Sequence, residues 1–444
     1  MPNFTKDDIM RIVSENNVRF IRLQFTDILG QLKNVTIMPS QLGKVLEDGC
    51  MFDGSSIEGF VRIEESDQVL VPDINTFCII PWEEENGRVA RIICDIRNAN
   101  GHHFTGDPRY RLKKAINDAA SMGYSFEVGP ECEFFLFQTD SDGNPIAKTQ
   151  DQVGYFDLGP VDHGEVVRRQ ICLNLEKMGF EIETSHHESA PGQHEIDFRY
   201  DNALNTADNI MTFKMAVKTI AKRNDLHATF MPKPVYGIAG SGMHLNMSLS
   251  RDGKNIFYNA DDDYHLSPEA YSFIAGIMTH IKGMTAITNP LVNSYKRLVA
   301  GYEAPCYIAW SARNRSPLVR IPTVSGRGGA RIELRSADPS ANPYLALAVC
   351  LEAGLDGIRR GLTPPAPVDC NIYEMDESGL AANGIDRLPD SLFSALNAMH
   401  ADQLVCDTLG DHILGRYTDA KMKDWQDYCT RITDWEIGRY FVNY

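Results

Sequence analysis

GPECEFF (residues 129–135) alternates acidic and apolar side chains: Glu131 and Glu133, then Cys132 and Phe134 between and after them. Successive side chains of a strand point to opposite faces, so the two glutamates share one side and the apolar pair the other. Five further segments carry acidic, histidine or arginine side chains at the same period: SHHESAPGQHEIDF (185–198), GSGMHLNMSL (240–249), GYEAP (301–305), NRSPLVRIP (314–322) and ARIELRS (330–336). His244, Asn246 and Ser248 stand over Met243, Leu245, Met247 and Leu249; Arg331, Glu333 and Arg335 stand over Ile332 and Leu334. The six segments predict one antiparallel sheet with an oily back and a front of carboxylates and guanidiniums. Such a front suits divalent cations and phosphate, as in an enzyme that uses ATP.

Around these segments the chain reads as α+β. Its 444 residues exceed one typical domain. Thr5 and Asp8 form a capping-box pattern ahead of a helical stripe, and strand-like runs follow at 19–25, 34–38, 68–72 and 89–96. They predict a small N-terminal domain over 1–100. A polar stretch at 98–107 reads as a hinge to a large domain over 104–444. Asp107-Pro108 reads as the cap and first residue of a helix to about Met122. Helices are expected at 165–178, 208–223, 268–285 and 343–360, with a helical, aromatic tail from about Pro389.

Lys+Arg 43 against Asp+Glu 60 gives a charge of −17, which argues against direct nucleic-acid or anionic-membrane binding. No apolar run is long enough to span a bilayer, and the first residues lack a secretory pattern. The ten cysteines form no C-x-x-C pair and read as reduced thiols, so the expected compartment is the cytoplasm.

Glu131, Glu133, Glu188, Glu195, His244 and Glu333 are the candidate metal ligands. Carboxylates gathered on one surface repel unless a cation balances them. Oxygen-rich ligation with one imidazole suits two or three Mg²⁺ or Mn²⁺ ions better than structural zinc. His186, His187 and His194 carry a weaker signal and are not assigned to metal. Arg297, Arg315, Arg320, Arg331 and Arg335 form a second group, suited to phosphate and carboxylate. Gly240-Ser241-Gly242 reads as a turn bordering a substrate pocket, and Asp53-Gly54-Ser55-Ser56, on its residues alone, as an ordinary turn.

Taken together with FIRLQFTDILG (20–30), MFDGSSIEGFVRIEESD (51–67), PGQHEIDF (191–198) and NPYLAL (342–347), these segments resemble the prokaryotic type I glutamine synthetases over nearly the whole chain. The resemblance implies a β-grasp-like N-terminal domain on a catalytic half-barrel of antiparallel strands. It implies ligation of ammonia to L-glutamate with ATP, through γ-glutamyl phosphate. By motif match, Glu133, Glu188 and Glu195 would hold one metal, and Glu131, His244 and Glu333 a second. Glu183, Phe198, Asn246, Ser248, Arg315 and Arg320 would line the nucleotide. Gly240, Arg297, Glu303 and Arg335 would hold glutamate, and Arg315 and Arg335 would also act in catalysis. Asp53 would come from a neighbouring subunit and, with Glu303, bind ammonium and take its proton. A mobile loop around Tyr302–Tyr307 would shield the acyl phosphate. Twelve subunits in two hexameric rings would share their active sites.

The family usually has Asn where Ala239 stands and Pro where Ala300 stands, both beside the expected glutamate pocket. The insertion of the adenylylated subclass is absent, so modification of Tyr373 is not expected. Arg62 matches an arginine linked to glutamine feedback in the shorter subclass, which can also bind a transcription regulator. Two competing readings are a ligase joining glutamate to a polyamine or other amine, and a non-catalytic nitrogen sensor. The first tends to lose the acidic ammonium pocket and the second its metal ligands. Asp53, Glu303 and all six ligand positions are present.

Overall fold

The structure is a computed structural model that describes residues 4–57, 67–82, 87–314, 316–323 and 326–444. Arg62 and Arg315 lie outside the described residues. Among those described, the N-terminal unit is a six-stranded sheet with the helices Lys6–Glu15 and Pro39–Asp48. Val18–Thr26 pairs in parallel with Arg88–Asn98, and antiparallel neighbours flank the two. Thr5 and Asp8 make the expected reciprocal cap, with the Asp8 amide donating to Thr5 Oγ1 at 3.1 Å.

Asp107 accepts the Arg109 amide at 2.9 Å and opens the helix Pro108–Ser121, which joins the unit to the rest of the chain. Arg109, 3% exposed, then ties three elements together. It pairs with Asp73 and Asp95 of the N-terminal unit at 2.8 and 2.7 Å and with Asp208 at 2.8 Å. Asp208 was expected to open a helix. The helix instead runs Ala203–Arg223, because Asn202 caps it by accepting the Asn205 amide at 3.1 Å. That leaves Asp208 buried inside, where Arg109 and the Tyr344 hydroxyl (2.7 Å) satisfy it.

The large unit is built on an eleven-stranded sheet among the described residues. Its backbone order is Trp310–Ser311, Val319–Arg320, Ile332–Leu334, Met243–Arg251, Ser125–Thr139, Gln193–Phe198 and Ile182–His187. The pairs are antiparallel except Trp310–Ser311 with Val319–Arg320, which is parallel. The back is as apolar as the alternation predicted: Cys132, Phe134, Met243, Leu245, Met247, Leu249, Ile332 and Leu334 are all 0% exposed. Each large apolar side chain buried this way contributes roughly 1.5–3 kcal/mol. Two segments depart from strand: NRSPLVRIP is strand, among its described residues, only at Val319–Arg320, and GYEAP has no strand residue. GYEAP is a turn, with Gly301 at φ 90° and Glu303 at φ 60°. Pro305 also removes a ladder donor there.

Helices Pro268–Thr288 and Pro343–Arg360 pack on each other behind the sheet, with Gly276 and Gly357 in mutual contact. A Cβ on Gly357 would sit 2.0 Å from the Ser272 carbonyl oxygen, so only glycine allows this approach. His280 on the first helix bridges Asp402 at 2.8 Å and Asp356 at 3.1 Å; Arg360 also donates to Asp356, at 2.7 Å. Burial opposes a charge on His280, but Asp402 and Asp356 outweigh it, so its pKa is raised. A raised histidine contributes stability that is full below the unfolded-state pKa and is lost as pH rises through the folded value. The Tm difference between wild type and His280→Gln should therefore be larger at pH 6 than at pH 9. Differential scanning calorimetry at the two pH values checks this, and an equal or reversed difference would reject it.

Candidate active site

The cross-strand register stacks the front-face residues. His244 lies opposite Glu131, Asn246 opposite both Gly129 and Glu333, and Glu195 opposite both Glu133 and His186. Two groups with metal-ligand spacing result: Glu131, His244 and Glu333, and His186, Glu188 and Glu195. His186, which the sequence alone does not assign to metal, has its Nε2 2.8 Å from Glu188 and 3.8 Å from Glu195. It shares the front with Glu188 because both sit at period two. Glu133 lies beside this second group instead, accepting from Gln193 at 2.8 Å and from the Gly242 amide at 2.8 Å.

The clustered carboxylates shift one another strongly. Burial and then the neighbouring Asp197, Glu133 and Glu188 push Glu195 up to about 12. Burial pushes Glu133 up to about 7, with Glu188 adding to it against His244 and Arg297. Glu131 goes the other way, to about 2, because hydrogen bonding and charge from His244 and a hydrogen bond from Asn246 overcome its desolvation. Asp197, raised to about 6 chiefly by burial, stands on the same strand face as Glu195. Divalent cations would relieve this repulsion, and hard carboxylate oxygens with imidazole suit Mg²⁺ or Mn²⁺.

Two cavities meet at this cluster, because Glu131 and Asp197 line both. The larger, about 1000 Å³, is also lined by Glu133, Glu188, Glu195, His244, Glu333, Gly240, Arg297, Glu303, Arg320 and Arg335. The smaller, about 570 Å³, is lined by Glu183, Phe198, Asn246 and Ser248, with Arg331 closing one side. Arg320, expected among the nucleotide residues, opens into the larger cavity and pairs with Glu333 at 2.8 Å. Arg335 takes the other oxygen of Glu333 at 3.0 Å. Glu333 is therefore a buried carboxylate between two guanidiniums and His244.

Arg297, 2% exposed, donates to the carbonyls of Ser336, Ala337 and Arg335. Part of its donor set is thus spent on shaping the cavity wall. Gly240 permits that wall: a Cβ there would lie 2.2 Å from the Pro232 carbonyl oxygen and 3.3 Å from Arg297 Cγ. The turn carrying Glu303 is pinned at three points. Lys233 Nζ lies 3.8 Å over the Tyr302 ring, Ser189 Oγ donates to Glu303 at 3.3 Å, and the Tyr373 hydroxyl donates to the Ala304 carbonyl at 2.7 Å. Tyr373 and Tyr155 also line the larger cavity, a role nothing in their local sequence signals.

Asp53 is not among the lining residues of either cavity. It ends the strand Cys50–Asp53, where it accepts from Ser55 Oγ at 2.6 Å and the Ser55 amide at 2.8 Å. Those hydrogen bonds lower its pKa.

Comparison with known proteins matches residues 17–99 to the family described as "Glutamine synthetase, beta-Grasp domain" and residues 105–440 to "Glutamine synthetase, catalytic domain". A glutamine synthetase of Clostridium saccharobutylicum is 58% identical over 444 residues, covering 100% of both chains. One from Staphylococcus aureus is 54% identical over 442 residues, covering 99% of each. Among solved structures, a GmaS/ADP complex superposes with a TM-score of 0.89 at 33% identity, covering 98% of this chain and 99% of that one. A Plasmodium falciparum glutamine synthetase superposes at 0.88 with 26% identity, covering 99% of each.

Proposed function

The chain belongs to the glutamine synthetase family, and from that membership we infer how its two joined cavities divide the ligation of ammonia to glutamate. The overall activity is ATP-dependent formation of glutamine. The observation that carries the division is the shared carboxylate cluster: a nucleotide in the smaller cavity and an amino acid in the larger would meet at Glu131. The structural neighbour described with ADP supports a nucleotide here. Glu183, Phe198, Asn246 and Ser248 would line it.

Glu131, His244 and Glu333 would hold one divalent ion, and Glu188 and Glu195 a second, with Glu133 and His186 beside them. When bound, such ions neutralise the phosphate oxygens of ATP. Arg335 and Arg320, joined by Arg315 from the motif match, would carry positive charge to the phosphoryl group as it moves to the γ-carboxylate. That transfer gives γ-glutamyl phosphate and ADP, and it turns a poor leaving group into phosphate. Gly240, Arg297 and Arg335 would hold glutamate, and the pinned turn at Glu303 would keep water from the acyl phosphate. Ammonium must lose a proton before it can attack the acyl carbon. Glu303 and Asp53 would take it, Asp53 arriving from a neighbouring subunit of a ring assembly, for which we propose a dodecamer. The free thiols of all ten cysteines support a cytoplasmic setting, and no helix among the described residues is long and apolar enough to cross a membrane.

An amine panel tests the reading. With ATP and Mg²⁺, phosphate release should depend on ammonium and glutamate. Turnover with putrescine or methylamine but not ammonium would overturn it in favour of an amine ligase, and metal binding without turnover on any amine in favour of a sensor.

A further inference from the structure

Directly behind the hairpin that carries Glu188 and Glu195 lies a third group with metal-ligand spacing: Asp151, His187 and His194, at 6%, 0% and 0% exposure. Its hydrogen bonds show that the rings have no lone pair to give a metal. His187 Nδ1 lies 2.7 Å from the Glu188 carbonyl oxygen, and Nε2 lies 3.2 Å from Asp151 Oδ1. Both partners are acceptors, so both ring nitrogens donate. His194 Nδ1 is 2.9 Å from an Arg168 guanidinium nitrogen, which can only donate. Nδ1 is therefore the acceptor, and Nε2 carries the hydrogen. That hydrogen points to the Gln150 side-chain amide at 3.0 Å. The amide must turn its oxygen there, which also gives the otherwise unpaired buried Oε1 a partner. Arg168, itself 5% exposed, is balanced by Asp162 at 2.7 Å. A guanidinium within the group further opposes a metal cation.

What the network does hold is the hairpin. Asp151 Oδ1 accepts both from His187 on one leg and from the Gly192 amide at 2.8 Å on the other. His187 in turn grips the backbone carbonyl of Glu188. His194 and His187 face each other across the register, their rings edge to face with centroids 4.9 Å apart. Side chains alternate along a strand, so fixing His194 at the back fixes Glu195 at the front. Packing leaves no slack: a Cβ on Gly164 would lie 2.3 Å from His194 Cε1.

We propose that Asp151 is a positioning residue which, through His187 and the Gly192 amide, sets the separation of Glu188 and Glu195 and so the affinity of the ion they hold. The proposal rests on the assignment of those two glutamates to a metal. Partners behind metal ligands typically govern affinity by about 10- to 100-fold.

Mn²⁺ binding to the purified full-length protein, followed by electron paramagnetic resonance without ATP or glutamate, tests it apart from turnover. A wild type that binds Mn²⁺ but makes no glutamine would fail the proposed activity while leaving this test intact. In Asp151→Ala, one class of Mn²⁺ sites should weaken by about tenfold or more. The class that depends on Glu333 should be unchanged. In turnover, the Mg²⁺ concentration for half activity should rise, with kcat recovered at saturating Mg²⁺ and the KM for glutamate unmoved. Unchanged Mn²⁺ affinity in a folded variant would overturn the proposal. So would a loss of kcat that no Mg²⁺ concentration restores. An extra ion lost in Asp151→Ala but retained in Glu188→Gln would overturn it too, by making the network a metal site itself. If Asp151→Ala does not fold, Asp151→Leu, which keeps the volume but removes the acceptor oxygen, carries the same test: weaker Mn²⁺ binding supports the proposal, and wild-type affinity overturns it.

Discussion

Glu333→Ala is expected to lower glutamine synthesis by at least about 10²-fold. Glu333 is 2% exposed and sits 2.8 Å from Arg320, 3.0 Å from Arg335 and 3.8 Å from His244. Removing one partner of a buried ion pair costs roughly 3–5 kcal/mol, because the remaining charges are left uncompensated. Here two guanidiniums lose their carboxylate at once, and the group with Glu131 and His244 loses one of its two carboxylate ligands. If only about 3 kcal/mol of that fell on the transition state, the rate would fall by about 10²-fold. Glu333→Gln keeps the shape but not the charge, and should lose nearly as much. Steady-state assays together with Mn²⁺ titration check this. Near-normal turnover, or loss of turnover with both classes of Mn²⁺ site intact, would remove Glu333 from the ligand set.

Much of this site was legible because strand period is a rigid rule. Glu131 with Glu133, His244 with Asn246, and Glu333 with Arg335 had to share faces once their segments were strands, and the apolar residues between them are the fully buried back. The same rule could have found Asp197, two residues after Glu195, and His186, two before Glu188. A single acidic or histidine side chain carries little signal alone, so neither stands out in the sequence as a ligand. GYEAP failed as a strand for a local reason: two left-handed residues and a proline make a turn, and a short motif with one glutamate cannot display a period. Asp151 was illegible for a different reason. Its meaning lies in contacts with residues 36 and 41 positions away, which strand order creates and local pattern does not. The helix of Asp208 was misplaced at its start because Asn202, an ordinary cap residue, lies ahead of the apolar stripe.

Asp53 is where local reading and family resemblance part most clearly, and hybrid assemblies distinguish them. Within its own chain it is an exposed turn residue, held by Ser55 and Ser56 and absent from both cavity walls. If it acts across a subunit boundary, Asp53→Ala and Glu333→Ala should each be nearly inactive alone. They should nevertheless complement when co-expressed. In a ring formed at random from equal amounts of the two, about a quarter of the boundaries pair an intact Asp53 with an intact Glu333. Activity near a quarter of wild type is then expected, rising and falling with the mixing ratio and greatest when the two are equal. The calculation requires that one site draws on two neighbours, so it tests the sharing directly and does not depend on the number of subunits. Hybrids no more active than either parent would return Asp53 to the role its local hydrogen bonds describe, that of closing a turn.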